Sequence, residues 1–110
     1  MKKLLTLLFI FTIVSATAFA ETTNSVDCII LEDENSIICK YTTERSNIDR
    51  EVILQWINPQ NEISRERDML IPAGHASIYD FRYKTGRETG EWIFKVIDNS
   101  KEYTTTFTIE

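Results

Sequence analysis

The sequence predicts an all-β protein, a seven-stranded antiparallel β-sandwich that forms one domain. Three observations predict this class. Apolar and polar residues alternate with a period of two in several short segments, turn residues recur roughly every 8–14 residues, and no segment has the apolar spacing of an amphipathic helix. This pattern favours a sandwich, and a small closed barrel is the alternative.

The first twenty residues, MKKLLTLLFIFTIVSATAFA, have the features of a secretory signal peptide. Two lysines precede an apolar run, and Ala18-Phe19-Ala20 has the small-x-small pattern of a cleavage site. The apolar run is shorter than the ~20 residues that span a bilayer. We therefore expect residues 1–20 to be cleaved after Ala20 and residues 21–110 to be the mature domain. The short lysine start is typical of bacteria, which indicates the periplasm or the medium.

The charge of the chain disfavours two kinds of partner. Twelve Lys and Arg stand against 17 Asp and Glu, a net charge of −5, and removal of Lys2 and Lys3 with the signal peptide makes it −7. An acidic chain is poorly suited to nucleic-acid backbones and to anionic membrane surfaces. A domain of this size buries only roughly 60–65% of its unfolded surface, so a covalent cross-link would add useful stability.

The stretch CIILEDENSIIC, residues 28–39, predicts a β-hairpin. With Cys28 opposite Cys39, Ile30 faces Ile37, and every residue on that side of the two strands is apolar. The only polar run, residues 32–35, falls at the turn. A shift of one residue would place polar groups on the apolar face, so the register is well specified.

The hairpin places the two cysteines within disulfide distance. Directly opposed residues have Cα atoms about 4.5–5.5 Å apart, and an exported protein lies in an oxidising compartment. We therefore expect a Cys28–Cys39 disulfide. A redox pair is disfavoured because the C-x-x-C spacing is absent, and a zinc site because two Cys and one His do not supply four ligands. The acidic turn also lacks the ligand spacing of a calcium loop, so we expect no metal and no cofactor.

The remaining chain predicts five further strands, at 51–58, 62–71, 75–83, 91–97 and 103–109. Segment 62–71 carries charge on both faces, which is typical of an edge strand protected against intermolecular pairing. Alternation in the other segments assigns large aromatic side chains to the core. These predicted core residues are Trp56, Trp92, Phe94 and Phe107.

A family resemblance supports this architecture. Cys39, then Trp56 on the next strand, then the run Gly90-Glu91-Trp92-Ile93-Phe94 resemble strands B, C and F of bacterial exported immunoglobulin-like domains. Phe94 stands where antibody domains carry their second cysteine. The resemblance implies a sandwich and a binding or accessory role, and it carries over no catalytic or binding residue.

Residues for catalysis do not form a recognisable set in the sequence. His75 is the only histidine, and Ser77 lies on its strand face whereas Asp80 lies on the opposite one. A solvated histidine beside the Pro72-Ala73-Gly74 break is the better interpretation. Seventeen acids provide many carboxylate pairs, but a pair has meaning only in a cleft. We therefore expect no catalytic residues.

The stretch from Tyr79 to Arg87 combines aromatic and basic residues and has two interpretations. The favoured one is that Tyr79 and Phe81 line the core with Tyr83 at its rim, because a core strand needs an alternating aromatic face. The other is a binding surface, in which Tyr83, Lys84 and Arg87 would contact the partner.

These patterns favour a non-catalytic exported domain that binds another protein or a surface glycan. One alternative is a small secreted hydrolase that uses acidic residues. Another is an assembly subunit of a surface structure that pairs through a free edge strand, such as the C-terminal segment or segment 62–71.

Overall fold

The computed structural model describes residues 24–110, and the predicted signal peptide lies outside these residues. The described chain folds into two packed antiparallel sheets, which confirms the predicted fold class and is consistent with an immunoglobulin-like architecture. The strands are β1 (Ser25–Leu31), β2 (Ser36–Thr42), β3 (Arg50–Ile57), β4 (Ile63–Ile71), β5 (Ser77–Tyr83), β6 (Gly90–Asp98) and β7 (Lys101–Ile109). One sheet has the order β1-β2-β5 and the other β4-β3-β6-β7.

The β1–β2 hairpin has the predicted register and the predicted disulfide. Cys28 lies opposite Cys39, with the Cα atoms 4.0 Å apart and the sulfur atoms bonded at 2.05 Å. A short 3₁₀ turn over Glu32–Glu34 joins the strands, and Asn35 closes it with a left-handed φ of 54°. Asparagine tolerates this conformation better than most residues, which explains its place at the end of the acidic turn.

The core between the sheets contains large aromatic side chains from β3, β6 and β7. The rings of Trp56 and Phe94 meet edge-on with centroids 5.3 Å apart, and Trp92 stacks on Phe107 at 6.1 Å. All four side chains are buried. From the first sheet, Cys39 and Tyr41 join the same cluster, so the disulfide lies against the core.

The two sides of the sandwich differ. On one side β1 packs against β7, whereas on the other side the edge strands β4 and β5 lie next to each other with little direct contact. β4 is the charged edge strand, and its pairing with β3 is interrupted by a bulge at Trp56/Ile57. Arg65 and Arg67 of β4 share the inward face with Trp56 and Leu54, and inward charges and bulges both disfavour pairing with another chain.

The orientation of β5 differs from the favoured sequence interpretation. Tyr79 and Phe81 are exposed on the outer face, and Ile78, Asp80 and Arg82 point inward instead. The register with β2 explains why, because Asp80 lies opposite the core residue Cys39 and opposed residues share a face. The assignment of Tyr79 and Phe81 to the core was therefore wrong.

Candidate binding surface

The outer face of the three-stranded sheet carries a contiguous apolar surface. Ile29, Ile38 and Phe81 lie opposite one another on β1, β2 and β5. Tyr79 and Tyr83 flank Phe81 on the same face of β5, because side chains alternate along a strand. We call this surface the outer-face patch; it consists of Ile29, Ile38, Tyr79, Phe81 and Tyr83.

Four of the five side chains of the patch are exposed, and Ile38 is partly buried. The exposed fractions are 53% for Ile29, 55% for Tyr79, 43% for Phe81 and 59% for Tyr83. Seven large hydrophobic residues are exposed in residues 24–110, and these four share one face of one sheet. Since a large aromatic side chain presents about 150–250 Å², the patch exposes on the order of 400 Å². Apolar patches of several hundred Å² commonly mark interaction sites.

One end of the patch contains a depression bordered by charged side chains. A depression of about 180 Å³ is lined by Asp27, Ile29, Ile38, Lys40 and Tyr79. The Lys40 ammonium lies 5.8 Å from the centre of the Tyr79 ring, a cation–π distance. A ligand group entering this depression would therefore meet an apolar floor beside one acidic and one basic side chain.

At the other end of the patch, the two aromatic rings are perpendicular. Phe81 and Tyr83 meet edge-to-face, with centroids 5.0 Å apart and an interplanar angle of 76°. This arrangement provides edges and a notch instead of two coplanar ring faces. It is better suited to a branched apolar side chain than to a flat sugar ring lying across both aromatics.

The buried carboxylate of Asp80 organises the inward side of β5. Asp80 is 4% exposed and accepts a hydrogen bond from the Trp56 indole nitrogen at 2.7 Å. Arg67 contacts the same carboxylate at 2.8 Å and Arg65 at 3.4 Å. A buried indole N–H needs an acceptor and a buried carboxylate needs a cation, so these contacts explain why β5 turns Asp80 inward.

Arginine side chains also cover the backbone along the free edge of β5. Arg65 donates to the Phe81 carbonyl at 3.4 Å, and the Arg87 Nε donates to the Tyr83 carbonyl at 3.1 Å. The Phe81 N–H is also occupied, by the Asp80 side chain at 3.0 Å. These backbone groups would otherwise be available to an added strand, so the edge is partly blocked.

A second polar cluster lies at the opposite end of β3. Asp98 accepts from the Tyr41 hydroxyl at 2.6 Å, and Arg50 Nη1 contacts both of its carboxylate oxygens at 2.7 Å. Burial, and then the hydrogen bond to Asp98, raise the pKa of Tyr41 to about 12. A polar depression of about 310 Å³ opens beside this cluster, with Thr43, Arg45 and Lys101 among its lining residues. Asp98 and Arg50 form the ion pair of this cluster.

The three residues predicted as a binding surface have different positions. Tyr83 belongs to the outer-face patch, and Arg87 lies at the β5 edge next to it. Lys84 is 2.5 Å from a carboxylate oxygen of Glu32, so its charge is already paired. The sequence did not identify Ile29, Ile38 or the inward arginines as site residues. The hairpin register places Ile29 opposite Ile38 on the outer face, and this was the one sequence pattern that could have identified these two.

The residues considered for catalysis are not assembled. His75 is exposed in the loop before β5, whereas Asp80 is buried and held by Trp56 and Arg67. Among residues 24–110, no three His, Cys, Asp or Glu side chains are grouped so that they could hold a metal ion. The described part of the chain also contains no helix long and apolar enough to span a membrane.

Comparison with known proteins gives no further assignment: the chain matches no protein-family model and no curated protein sequence.

Proposed function

We propose that this protein is a non-catalytic exported domain that recognises another protein through the outer-face patch. The exposure of Ile29, Tyr79, Phe81 and Tyr83 on one sheet face carries this proposal. Burying such a patch against a partner would release roughly 10 kcal/mol at about 25 cal/mol per Å², before the larger part is offset by the entropy lost on association. The net result is a moderate affinity, as expected of an accessory domain.

Two further observations support export as part of the proposal. The first twenty residues have the pattern of a secretory signal peptide. The Cys28–Cys39 disulfide suggests a non-reducing environment, which for a bacterial protein means the periplasm or the medium. The immunoglobulin-like resemblance is consistent with a binding or accessory role.

A protein partner is favoured over a surface glycan by the geometry of the patch. Sugar rings stack on flat aromatic faces, whereas Phe81 and Tyr83 are perpendicular. The aliphatic side chains of Ile29 and Ile38 continue the patch and suit apolar side chains of a peptide. The alternative of assembly through an edge strand receives less support for segment 62–71, because inward arginines and a bulge of β4 disfavour pairing with another chain. The β5 edge is also partly blocked, because side chains occupy the Phe81 and Tyr83 backbone groups.

Site-specific photo-crosslinking tests the proposal. A benzophenone amino acid is placed at Tyr79 on the patch or, as a matched control, at Thr106 on the exposed face of β7, and each protein is expressed in its native cells. We expect a discrete protein adduct from position 79 that is absent from position 106 and is lost when Phe81→Ser is added. Equal adducts from both positions would contradict a specific surface. Glycan-array binding that depends on Phe81, without any protein adduct, would replace the protein partner with a glycan.

A further inference from the structure

Four of the six arginines of the chain gather on the open side of the sandwich. Arg65 and Arg67 come from β4, Arg82 from β5, and Arg87 from the following loop. We call this group the arginine seam. Among the contacts of residues 24–110, Asp80 is the carboxylate paired with the seam, through Arg65 and Arg67. Two of the four guanidinium groups thus pair with this carboxylate, and no ion pair of the described residues includes Arg82 or Arg87, so cations outnumber paired carboxylates in the seam.

Arg82 is the buried arginine of the seam. It is 8% exposed, and its guanidinium lies 5.3 Å from the centre of the Trp56 ring. One terminal nitrogen donates to the Ser64 hydroxyl at 3.2 Å, but the buried Nε has no partner. Burial first, and then the charges of Arg87 and Arg65, lower the pKa of Arg82 to about 10, and Asp80 only partly opposes this. A nearby anion would relieve the repulsion among these cations.

The arginines at the surface of the seam keep donors available for a ligand. The Arg65 side chain is 34% exposed and the Arg67 side chain 48% exposed. A guanidinium carries five N–H donors in a planar fork, and the contacts of Arg65 and Arg87 to the β5 carbonyls use only one or two of them. The remaining fork matches the two oxygens of a carboxylate.

The seam borders the outer-face patch directly. Arg65 contacts the carbonyl of Phe81 and Arg87 contacts the carbonyl of Tyr83, and the side chains of both aromatic residues belong to the patch. A partner that places an apolar side chain in the notch between Phe81 and Tyr83 therefore brings its neighbouring residues next to the guanidinium groups. Charge complementarity requires those neighbours to be acidic.

From this juxtaposition we propose that the arginine seam binds the carboxylate of an acidic peptide segment whose adjacent apolar side chain lies on Phe81 and Tyr83. The proposal rests on the proposed function, since it names the kind of protein segment that the patch recognises. The β5 edge does not add the segment as a strand, because side chains occupy its Phe81 and Tyr83 groups. Side-chain contacts instead provide the recognition.

A titration followed by NMR tests the proposal on the mature protein. The probes are the acetylated peptide Glu-Leu-Glu-Phe-Glu and its counterpart with Gln in place of each Glu, and the readout is the Nε–Hε signals of the arginines. We expect saturable shifts at Arg82 and Arg87 with the Glu peptide, at least tenfold weaker binding of the Gln peptide, and weakening with salt. Arg87→Gln should weaken binding about fivefold or more, whereas Arg45→Gln, an exposed arginine at the other polar cluster, should leave it unchanged.

Several results would overturn the carboxylate proposal. These are equal binding of the two peptides, shifts confined to Arg45 and Arg50, inorganic phosphate binding as tightly as the Glu peptide, or no saturable shift with either peptide. If both peptides shift the signals of Ile29 and Ile38 equally, the seam does not distinguish the charged peptide from the neutral one, but the patch still binds peptide. The crosslinking experiment tests the patch independently, so the failure of one proposal is distinguishable from the failure of the other.

Discussion

Two buried carboxylates, Asp80 and Asp98, lie near opposite ends of β3 and invite comparison. Each accepts a hydrogen bond from a core aromatic residue, Trp56 for Asp80 and Tyr41 for Asp98. Each also pairs with arginine and joins the two sheets. In both places the sandwich buries a carboxylate and bonds it to an aromatic residue of the opposite sheet, although Arg50 comes from the same sheet as Asp98.

The clusters differ in the number of arginines that pair with the carboxylate. Asp98 pairs with Arg50 alone, and its neighbours Tyr41 and Thr43 are neutral. Asp80 lies among Arg65, Arg67 and Arg82, and this cluster lies beside exposed aromatic side chains. The Asp98 cluster lies beside a polar depression and holds the sheets together, whereas several arginines beside an apolar patch are suited to bind a partner. The Asp98–Arg50 pair therefore has a structural role, whereas the Asp80 cluster is a candidate recognition site.

The largest expected effect comes from removing the two carboxylates in turn. Asp80→Asn removes the carboxylate that pairs with Arg65 and Arg67 and that partly offsets the charge of the buried Arg82, and it should lower the free energy of unfolding by about 3–5 kcal/mol. Asp98→Asn should cost less, about 1.5–3 kcal/mol, because Asp98 forms an ion pair with one arginine, Arg50. Urea denaturation of both variants measures the difference, and a larger loss of stability in Asp98→Asn would contradict this order.

Removal of the disulfide should cause the next largest loss in the free energy of unfolding. Cys28→Ser with Cys39→Ser should lower the free energy of unfolding by about 2–3 kcal/mol, because the cross-link restricts the unfolded chain, and the fold should be retained. Denaturant midpoints and the far-ultraviolet circular dichroism spectrum measure the two effects. Native protein from an oxidising compartment should release no free thiol. An unchanged midpoint would contradict a stabilising role of the disulfide, and two titratable thiols would contradict its presence.

Alkaline pH should destabilise the protein through the Asp98 cluster. The pKa of Tyr41 is raised from 10 to about 12, so folding favours the protonated hydroxyl. This stabilisation is fully present below pH 10 and is lost as pH rises from 10 to about 12. We expect stability to decline over that window and the decline to be smaller in Tyr41→Phe. Identical pH profiles for the two proteins would show that the Tyr41 hydroxyl does not contribute.

The smallest effect on stability is expected on the outer face of β5. Tyr79→Ser should change the free energy of unfolding by less than about 1 kcal/mol, because the side chain is already exposed. Ile78→Ser, one residue away on the inward face, is the matched control and should be several times more destabilising. Thermal denaturation of the pair is sufficient. A large loss from Tyr79→Ser would mean that this ring contributes to packing.

The hairpin could be predicted from the sequence because its signals are local. Cys28, Cys39 and the acidic turn between them fix the register within twelve residues, and any slip exposes apolar groups. The face of β5 could not be predicted in the same way. Aromatic and charged residues alternate there, and the choice depends on distant partners, namely the Trp56 indole and the inward arginines of β4. The outer-face patch follows from that choice, so the sequence alone did not locate it.

Fluorine NMR of protein labelled with 3-fluorotyrosine tests the orientation of β5, on which the outer-face patch and the arginine seam both depend. The mature chain has four tyrosines, at positions 41, 79, 83 and 103. With a soluble paramagnetic probe, we expect strong broadening of the Tyr79 and Tyr83 signals and protection of the Tyr41 signal. Protection of Tyr79 equal to that of Tyr41 would contradict the account, because β5 would then face its aromatic residues inward, which would remove the outer-face patch and the arginine seam together.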